Sequence, residues 1–249
     1  MIEKLTQDFS KYIQKRFGIV TDAQSNKQLE KFVTENIRLL VYPNWQSELN
    51  KRDLSDLVNG ITITETYFFR DRKQLNVMID NIKMKLKESK NKINFNIWSM
   101  GCSSGEEPYT ISLMLKELQN YESFDYQVKG FDINTKNIEK AQKGVYTSWS
   151  FRGTEKNFLI QKYFKEEENN NFSIKDSVKE NVSFKLFNIT EDLFDPKIVS
   201  KYGIPDYIFL RNTIMYFDRE TVAKIVSKMY ELLSDGGMLI PGIQEVRIF

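Results

Sequence analysis

Two glutamates stand side by side at a glycine turn in the segment INFNIWSMGCSSGEEPYTISLML, residues 93–115. Gly101 and Gly105 let the backbone approach a ligand closely. A glycine turn that cradles phosphate offers lysine and backbone N–H groups. Glu106 and Glu107 instead repel an anion and attract an ammonium or a sulfonium. Ser104 and Glu107 have the spacing of a capping box. Pro108 suits a first helical turn, where N–H groups lack intrahelical partners. Glu106 is then left over for a ligand. The chemistry indicated is capture of a doubly cationic group, as in S-adenosylmethionine, rather than NAD or ATP. The alternative is an ordinary strand-to-helix turn with solvated acids. Asp132 ends the next apolar run, YQVKGFDI, where an acid accepts hydrogen bonds from both ribose hydroxyls or else caps the following helix. Cys102 has no base nearby in sequence and reads as a small packing residue.

The rest of the composition narrows the chemistry. The chain has 249 residues, one cysteine, no histidine and a net charge of +2. Triads built on histidine are excluded, and zinc or non-haem iron sites are not expected. The near-neutral charge gives no bulk grip on nucleic acid. One cysteine excludes a disulfide framework and points to a reducing compartment. There is no signal peptide and no apolar run long enough to insert in a membrane, so a soluble, cytoplasmic protein is expected.

The elements that must position these residues come in two styles. Leu5, Phe9, Tyr12, Ile13 and Phe17 fall on one helical face, as do Leu29, Phe32, Val33, Ile37 and Leu40. YPNW (42–45) punctuates, and KRDLSDLVNGI predicts a short helix ended by Gly60. From residue 93 the rhythm changes. INFNIWS, YQVKGFDI, VSFKLFNI, DYIFLRN and MLIPG read as strands. Between them lie helical runs, one capped at Asn134 or Thr135 and stopped at Gly144. Strands alternating with helices predict a parallel sheet whose ligand sits at the strands' carboxyl ends. The stretch Tyr146–Lys179 breaks that rhythm; it predicts a hairpin with a polar tip or a plain surface loop. Residues 70–92 hold eight Lys or Arg against three Asp or Glu, a solvated helix face or a surface for an acidic partner.

ITITETYFFRD, WSMGCSSGEEPYTISLML, GFDINTKNIEKAQKGVY and DYIFLRNTIMYFD resemble, in order and approximate spacing, the successive signatures of the chemotaxis receptor glutamate methyltransferases, the CheR family. The resemblance covers nearly the whole chain. It implies an α/β fold, a Rossmann-like class I methyltransferase sheet with an all-α N-terminal domain and a small inserted β-subdomain. The implied divisions are a helical domain over 1–60, a linker and connecting helix over 61–92, and a methyltransferase domain over 93–249, with the β-subdomain at about 160–182. It also implies S-adenosylmethionine as methyl donor, S-adenosylhomocysteine as product, no metal, and glutamates on the cytoplasmic helices of methyl-accepting chemoreceptors as acceptors. By position, Thr64, Thr66 and Arg70 line the cofactor and acceptor site, and Gly101 lies in the cofactor turn. Glu106 and Asp132 hold the methionine end and the ribose, and Asn188 and Ile189 meet the adenine. Asn212 and Thr213 touch the cofactor from the fourth strand, and Tyr216 sits near the transferred methyl. The other readings are a methyltransferase of the same fold with another acceptor and a non-catalytic docking module that binds the cofactor.

Transfer of a methyl from sulfonium to carboxylate needs no general base, because glutamate is ionised at neutral pH. That suits a chain without histidine and leaves catalysis to positioning. Arg70 is expected to present its fork to the acceptor carboxylate, and Tyr216 to orient the methyl or the acceptor. Phe68 and Phe69 are expected to pack, Trp98 and Trp149 to be core or rim. Two departures from the family stand out. Its Gly-His-Ser-Glu after the fifth strand is PGIQEV here, with Ile243 and Gln244 in the middle places. The family's closing antiparallel strand is missing before the sequence ends at Phe249, so either the sequence is trimmed or that sheet edge is bare. The short, acidic, asparagine-rich insert is expected not to bind receptor-tail pentapeptides.

Overall fold

The computed structural model describes residues 2–36, 46, 51–62, 65–152 and 161–246. Three N-terminal helices, α1 (Ile2–Phe17), α2 (Ala23–Glu35) and α3 (Lys51–Ile61), pack around Phe9, Ile13, Phe17, Leu29, Val33, Leu57 and Val58. These include the buried positions of the two predicted stripes; Ile37, Leu40 and the YPNW punctuation lie outside the described residues. Asp22 caps α2 by accepting from Ser25 N–H at 2.8 Å. α3 runs one residue past the predicted stop at Gly60. A fourth helix, α4 (Arg72–Glu88), buries Leu75, Met78, Ile79 and Ile82 and leaves its lysines outward.

The remainder is built on β1 (Asn94–Met100), α5 (Glu106–Gln119), β2 (Asp125–Asp132) and α6 (Thr135–Lys143). There follow β3 (Val145–Thr147), β4 (Phe164–Glu167), β5 (Asn171–Ile174), α7 (Asp176–Lys179) and β6 (Val182–Leu186). The last elements are α8 (Ile198–Tyr202), β7 (Tyr207–Leu210), α9 (Arg219–Leu232) and β8 (Met238–Pro241). Five strands form one sheet in the order β6-β2-β1-β7-β8, every neighbouring pair parallel. Side chains alternate across it. Phe95, Ile97, Val128, Tyr207 and Phe209 face α4 and α5, whereas Trp98, Met100, Phe131, Ile208 and Leu210 face α9. With both faces covered, the strands read as apolar runs. The chain leaves β1 toward β2 and β6, then returns to β7 on β1's other side. The crevice at that reversal, outside the carboxyl ends of β1 and β7, is where such sheets take ligands.

β4 and β5 form an antiparallel hairpin, and β5 also pairs with β3, giving a second, three-stranded sheet. The interrupting stretch is therefore a hairpin rather than a loop, and its third strand comes from residues 145–147. At its tip Asn169 and Asn170 take φ values of 57° and 56°. Asparagine tolerates this left-handed conformation, which is why the turn closes without glycine. An aromatic cluster joins the two sheets. Phe68 is fully buried between Phe151, stacked at 5.0 Å, and the edges of Tyr146 and Phe164 at 5.0 and 5.3 Å. Burial of such a ring contributes about 1.5–3 kcal/mol. Phe68 and Phe69 are thus packing residues, Trp98 is core, and Trp149, 68% exposed, is rim.

Candidate functional site

The carboxyl edge of the sheet opens into a cleft, where a sheet of this kind takes a small molecule. A second opening adjoins it, and Gly101, Ser103, Asn212 and Tyr216 line both. Gly101 follows β1 with φ 71°, and a Cβ there would lie 2.2 Å from Thr213 Oγ1. Only glycine allows the loops after β1 and β7 to meet so closely. Thr213 Oγ1 stitches them together by donating to the carbonyl of Met100 or of Arg211, at 3.2 and 3.1 Å.

Asp132, at the end of β2, lines the cleft. Ser103 N–H donates to its Oδ2 at 2.7 Å and Asn134 N–H to its Oδ1 at 2.8 Å. Burial pushes the Asp132 pKa up, and the N–H bonds from Asn134 and Ser103 pull it partly back. The Asn137 side chain and the Ile133 N–H lower it further. The helix after β2 is capped by Asn134, which accepts from Asn137 N–H at 3.0 Å, so Asp132 is not spent on capping it. Asn188, just past β6, accepts from the Thr190 backbone and hydroxyl through Oδ1. Its Nδ2 is buried with no partner among the described residues. An orphan donor in a cleft wall is what a ring nitrogen would satisfy. Ile189 lines the cleft beside it.

Glu106 is 1% exposed. Ser104 Oγ donates to its Oε2 at 2.7 Å and Ser150 Oγ to its Oε1 at 2.9 Å. It faces a polar recess that shares Thr62 with the cleft and Thr66 with the second opening. The predicted capping box does not form: Gly105, with φ 92°, is the N-cap of α5, and no side chain caps it. Ser104 spends its hydroxyl on Glu106 instead. Glu107, one residue further round the helix, lines the second opening. There it accepts from Ser99 Oγ at 2.7 Å and from Arg211 Nη1 at 2.8 Å. The two acids therefore divide differently: Glu107 is an ion-pair partner, and Glu106 sits in a cage of hydroxyls.

The second opening is walled by Arg70, Tyr67, Thr66, Arg211, Met215 and Tyr216. Arg70 lies in the turn before α4, where Phe69 and Asp71 have φ values of 61° and 52°. Its Nη1 donates to the Glu65 carbonyl at 2.9 Å. Tyr216 ends the short 3₁₀ turn after β7. Burial pushes its hydroxyl pKa up and the nearby Arg70 draws it down; the phenol is a neutral hydroxyl, not a base, at neutral pH. Burial likewise pushes the Cys102 thiol up, with Asp132 and Glu107 adding to it, so this cysteine is inert. Thr64 lies outside the described residues.

Three features of the site were not read from the sequence. Glu245, 1% exposed, accepts from the N–H groups of Asn212 (2.7 Å), Thr213 (2.8 Å), Ile214 (3.0 Å) and Gly242 (3.0 Å). Arg211, 5% exposed, holds the turn around Arg70. Phe17 and Ile61 from the N-terminal helices and Ile19 from the link between α1 and α2 wall the cleft. Val20 N–H donates to the Tyr216 carbonyl at 2.7 Å and closes that wall. The hints were the family signatures: Arg211 lies in DYIFLRNTIMYFD, and Glu245 stands at the Glu place of the Gly-His-Ser-Glu pattern in PGIQEV. The donor set suits a nucleoside that carries a cation: Asp132 for hydroxyls, Asn188 for a ring nitrogen, Glu106 for an ammonium. No group of three or more metal-ligating acids or cysteines is found among the described residues.

The family profile described as CheR methyltransferase, SAM binding domain, matches residues 64–247. A chemotaxis protein methyltransferase of Campylobacter jejuni is 31% identical over 242 residues, 94% of this chain and 86% of that protein. Chemotaxis protein methyltransferase 2 of Vibrio cholerae is 29% identical over 95% of this chain and 83% of its own length. A chemotaxis protein methyltransferase of Borreliella burgdorferi is 29% identical over 94% and 85%.

Proposed function

The chain belongs to the CheR methyltransferase family, and we propose that it transfers a methyl group from S-adenosylmethionine to glutamate side chains of chemoreceptors. One meeting of groups carries the reading: Asp132 and the orphan amide of Asn188 in the cleft, Arg70 and Tyr216 at its mouth, and Gly101, Ser103 and Asn212 lining both.

In this reading Asp132 accepts from the ribose hydroxyls, Asn188 donates to the adenine, and Glu106 takes the ammonium of the methionine end. Ile189, Asn212, Thr213, Thr66 and Thr64 complete the cofactor's surroundings. S-adenosylmethionine supplies a methyl on a sulfonium: the carboxylate oxygen forms the new C–O bond, the S–CH₃ bond breaks with its electron pair going to sulfur, and S-adenosylhomocysteine leaves. No proton moves, so no base is needed. Arg70 orients the acceptor carboxylate with charge-assisted hydrogen bonds, and the neutral hydroxyl of Tyr216 directs the approach. The N-terminal wall built by Phe17, Ile19 and Ile61 excludes water from the cleft, which strengthens every polar contact inside it.

The helical unit over 1–60, the connecting segment over 61–92 and the methyltransferase unit from 93 are supported by the separate core of the first three helices. In this reading the acceptors lie on the receptors' cytoplasmic helices, and a cytoplasmic location is proposed with it. Among the described residues no helix is long and apolar enough to cross a membrane. The β4–β5 hairpin has strands of four residues and a tip of Glu168–Asn170, and it is proposed not to hold a receptor-tail pentapeptide; micromolar binding in a titration would refute this.

The test is incubation with methyl-labelled cofactor and receptor cytoplasmic fragments. Label released as methanol in mild alkali is expected. An alkali-stable methyl would mean a different acceptor, and cofactor binding with no transfer would mean a docking module.

A further inference from the structure

Arg211 follows β7 and is a buried charge, 5% exposed. It reaches three groups from two elements. Nη1 donates to Glu107 Oε2 at 2.8 Å, and Nη2 to the Arg70 carbonyl at 2.5 Å and to Asp71 Oδ2 at 3.2 Å. Glu107 is itself fixed to β1 through the Ser99 hydroxyl at 2.7 Å. A continuous chain of contacts therefore runs from β1, through α5 and the end of β7, to the backbone of Arg70.

That backbone is held against its preference. Phe69 and Asp71, on either side of Arg70, both occupy the left-handed region, at φ 61° and 52°. A side chain resists that conformation, and it persists only where the surroundings over-determine it. Phe69 N–H is tied to Thr110 Oγ1 at 3.1 Å, and Arg211 supplies the tie on the other side. Stability alone does not explain the arginine. Its Nε is buried with no partner among the described residues, and replacing the whole Arg211–Glu107 pair by apolar side chains would cost little stability, whereas removing the arginine alone would strand Glu107. What arginine offers is a planar fork that holds a carbonyl and two carboxylates in one geometry, which lysine cannot do.

We infer that Arg211 is a positioning residue for methyl transfer: it locks the strained turn and so sets the approach of the Arg70 guanidinium to the acceptor carboxylate. This rests on the acceptor role of Arg70 proposed above. Arg211 acts through Arg70, not on the cofactor, whose proposed partners Asp132 and Asn188 are tied elsewhere.

The experiment compares Arg211→Met, Arg211→Lys, Arg70→Ala and the double variant Arg70→Ala/Arg211→Met. It measures turnover on receptor fragments, S-adenosylhomocysteine affinity by calorimetry and thermal melting. Arg211→Met is expected to lower kcat about 100-fold, as for a roughly 1 Å misplacement, with affinity changed less than about threefold. Adding it to Arg70→Ala is expected to cost nothing further, since the two act as a unit. Arg211→Lys keeps the charge beside Glu107 but serves fewer partners, and should lose about tenfold; it decides the matter if Arg211→Met does not fold. Turnover at the parent rate in either folded variant, independent losses in the double variant, or an affinity loss matching the turnover loss would overturn the inference. Normal turnover in Arg70→Ala would instead sink the acceptor role beneath it, and this inference with it.

Discussion

The cofactor cleft and the acceptor mouth share a wall but are held by different means. In the cleft, short acids collect backbone N–H groups: Asp132 takes those of Ser103 and Asn134, and Glu245 takes four from the loops after β7 and β8. At the mouth, charged side chains clamp a strained turn: Arg211 joins Glu107, Asp71 and the Arg70 carbonyl. A main-chain cage is shaped by strand ends that regular sheet geometry already places. A side-chain clamp must bring together residues more than a hundred positions apart. The cleft is thus rigid because the sheet is, and the mouth is rigid only while its ion network holds.

That contrast is open to four tests. The largest effect is expected from Arg70→Ala, where transfer to receptor fragments should fall about 10²–10³-fold while S-adenosylhomocysteine affinity stays within about threefold. Equal loss of both would make Arg70 a cofactor ligand and erase the division. Next is Glu245→Ala, which strands four N–H donors, of which those of Ile214 and Gly242 are buried. The expected cost is about 3 kcal/mol in urea unfolding, with weaker cofactor binding; an unchanged midpoint would show that the cage is not what holds the β7 loop. Gly101→Ala puts a Cβ 2.2 Å from Thr213 Oγ1 at φ 71° and should destabilise by about 2 kcal/mol. Calorimetry should show weaker cofactor binding too, and wild-type behaviour in both would mean the two loops can part freely.

The smallest effect is the pH dependence of the cleft. Burial raises the Asp132 pKa above its ordinary value of 3.8. Folding therefore favours the protonated acid, so this group's contribution to stability declines as pH rises from 3.8 toward the raised value. Cofactor hydroxyls prefer the ionised acid, so affinity should be full above the raised pKa and fall as pH drops through it. Calorimetry of S-adenosylhomocysteine binding across the acid range should show this fall in the parent and not in Asp132→Asn. The same fall in both would assign it to another group.

Much of the frame was legible in sequence because it depends on local chemistry. INFNIWS, YQVKGFDI and DYIFLRN are strands because a sheet covered on both faces demands apolar runs. Gly144 stops α6 at φ 65°, as a helix-ending glycine should. The turn at Gly101 and Gly105 and the acid at Asp132 fell where a βα unit puts a ligand. The misreading at Ser104 and Glu107 is instructive. Their spacing satisfied a local rule, but Arg211, 104 residues further on, competed for Glu107, and a buried charge pair outranks a cap. The hairpin is not distinguishable from a loop in sequence because each of its strands has only four residues, and the strand that completes its sheet, Val145–Thr147, has only three.

Periodicity and turn chemistry act over a few residues, so the parallel sheet, the glycine turn, the acids at its rim and the family signatures are already written in the order of residues. Folding was needed to settle which acid pairs and which is caged, that Glu245 gathers the β7 loop, that the N-terminal segment walls the cleft, and that Arg211 grips the turn of Arg70. Those outcomes turn on burial and on contacts between distant segments, and the energy of a charge depends on what surrounds it rather than on its neighbours in the chain.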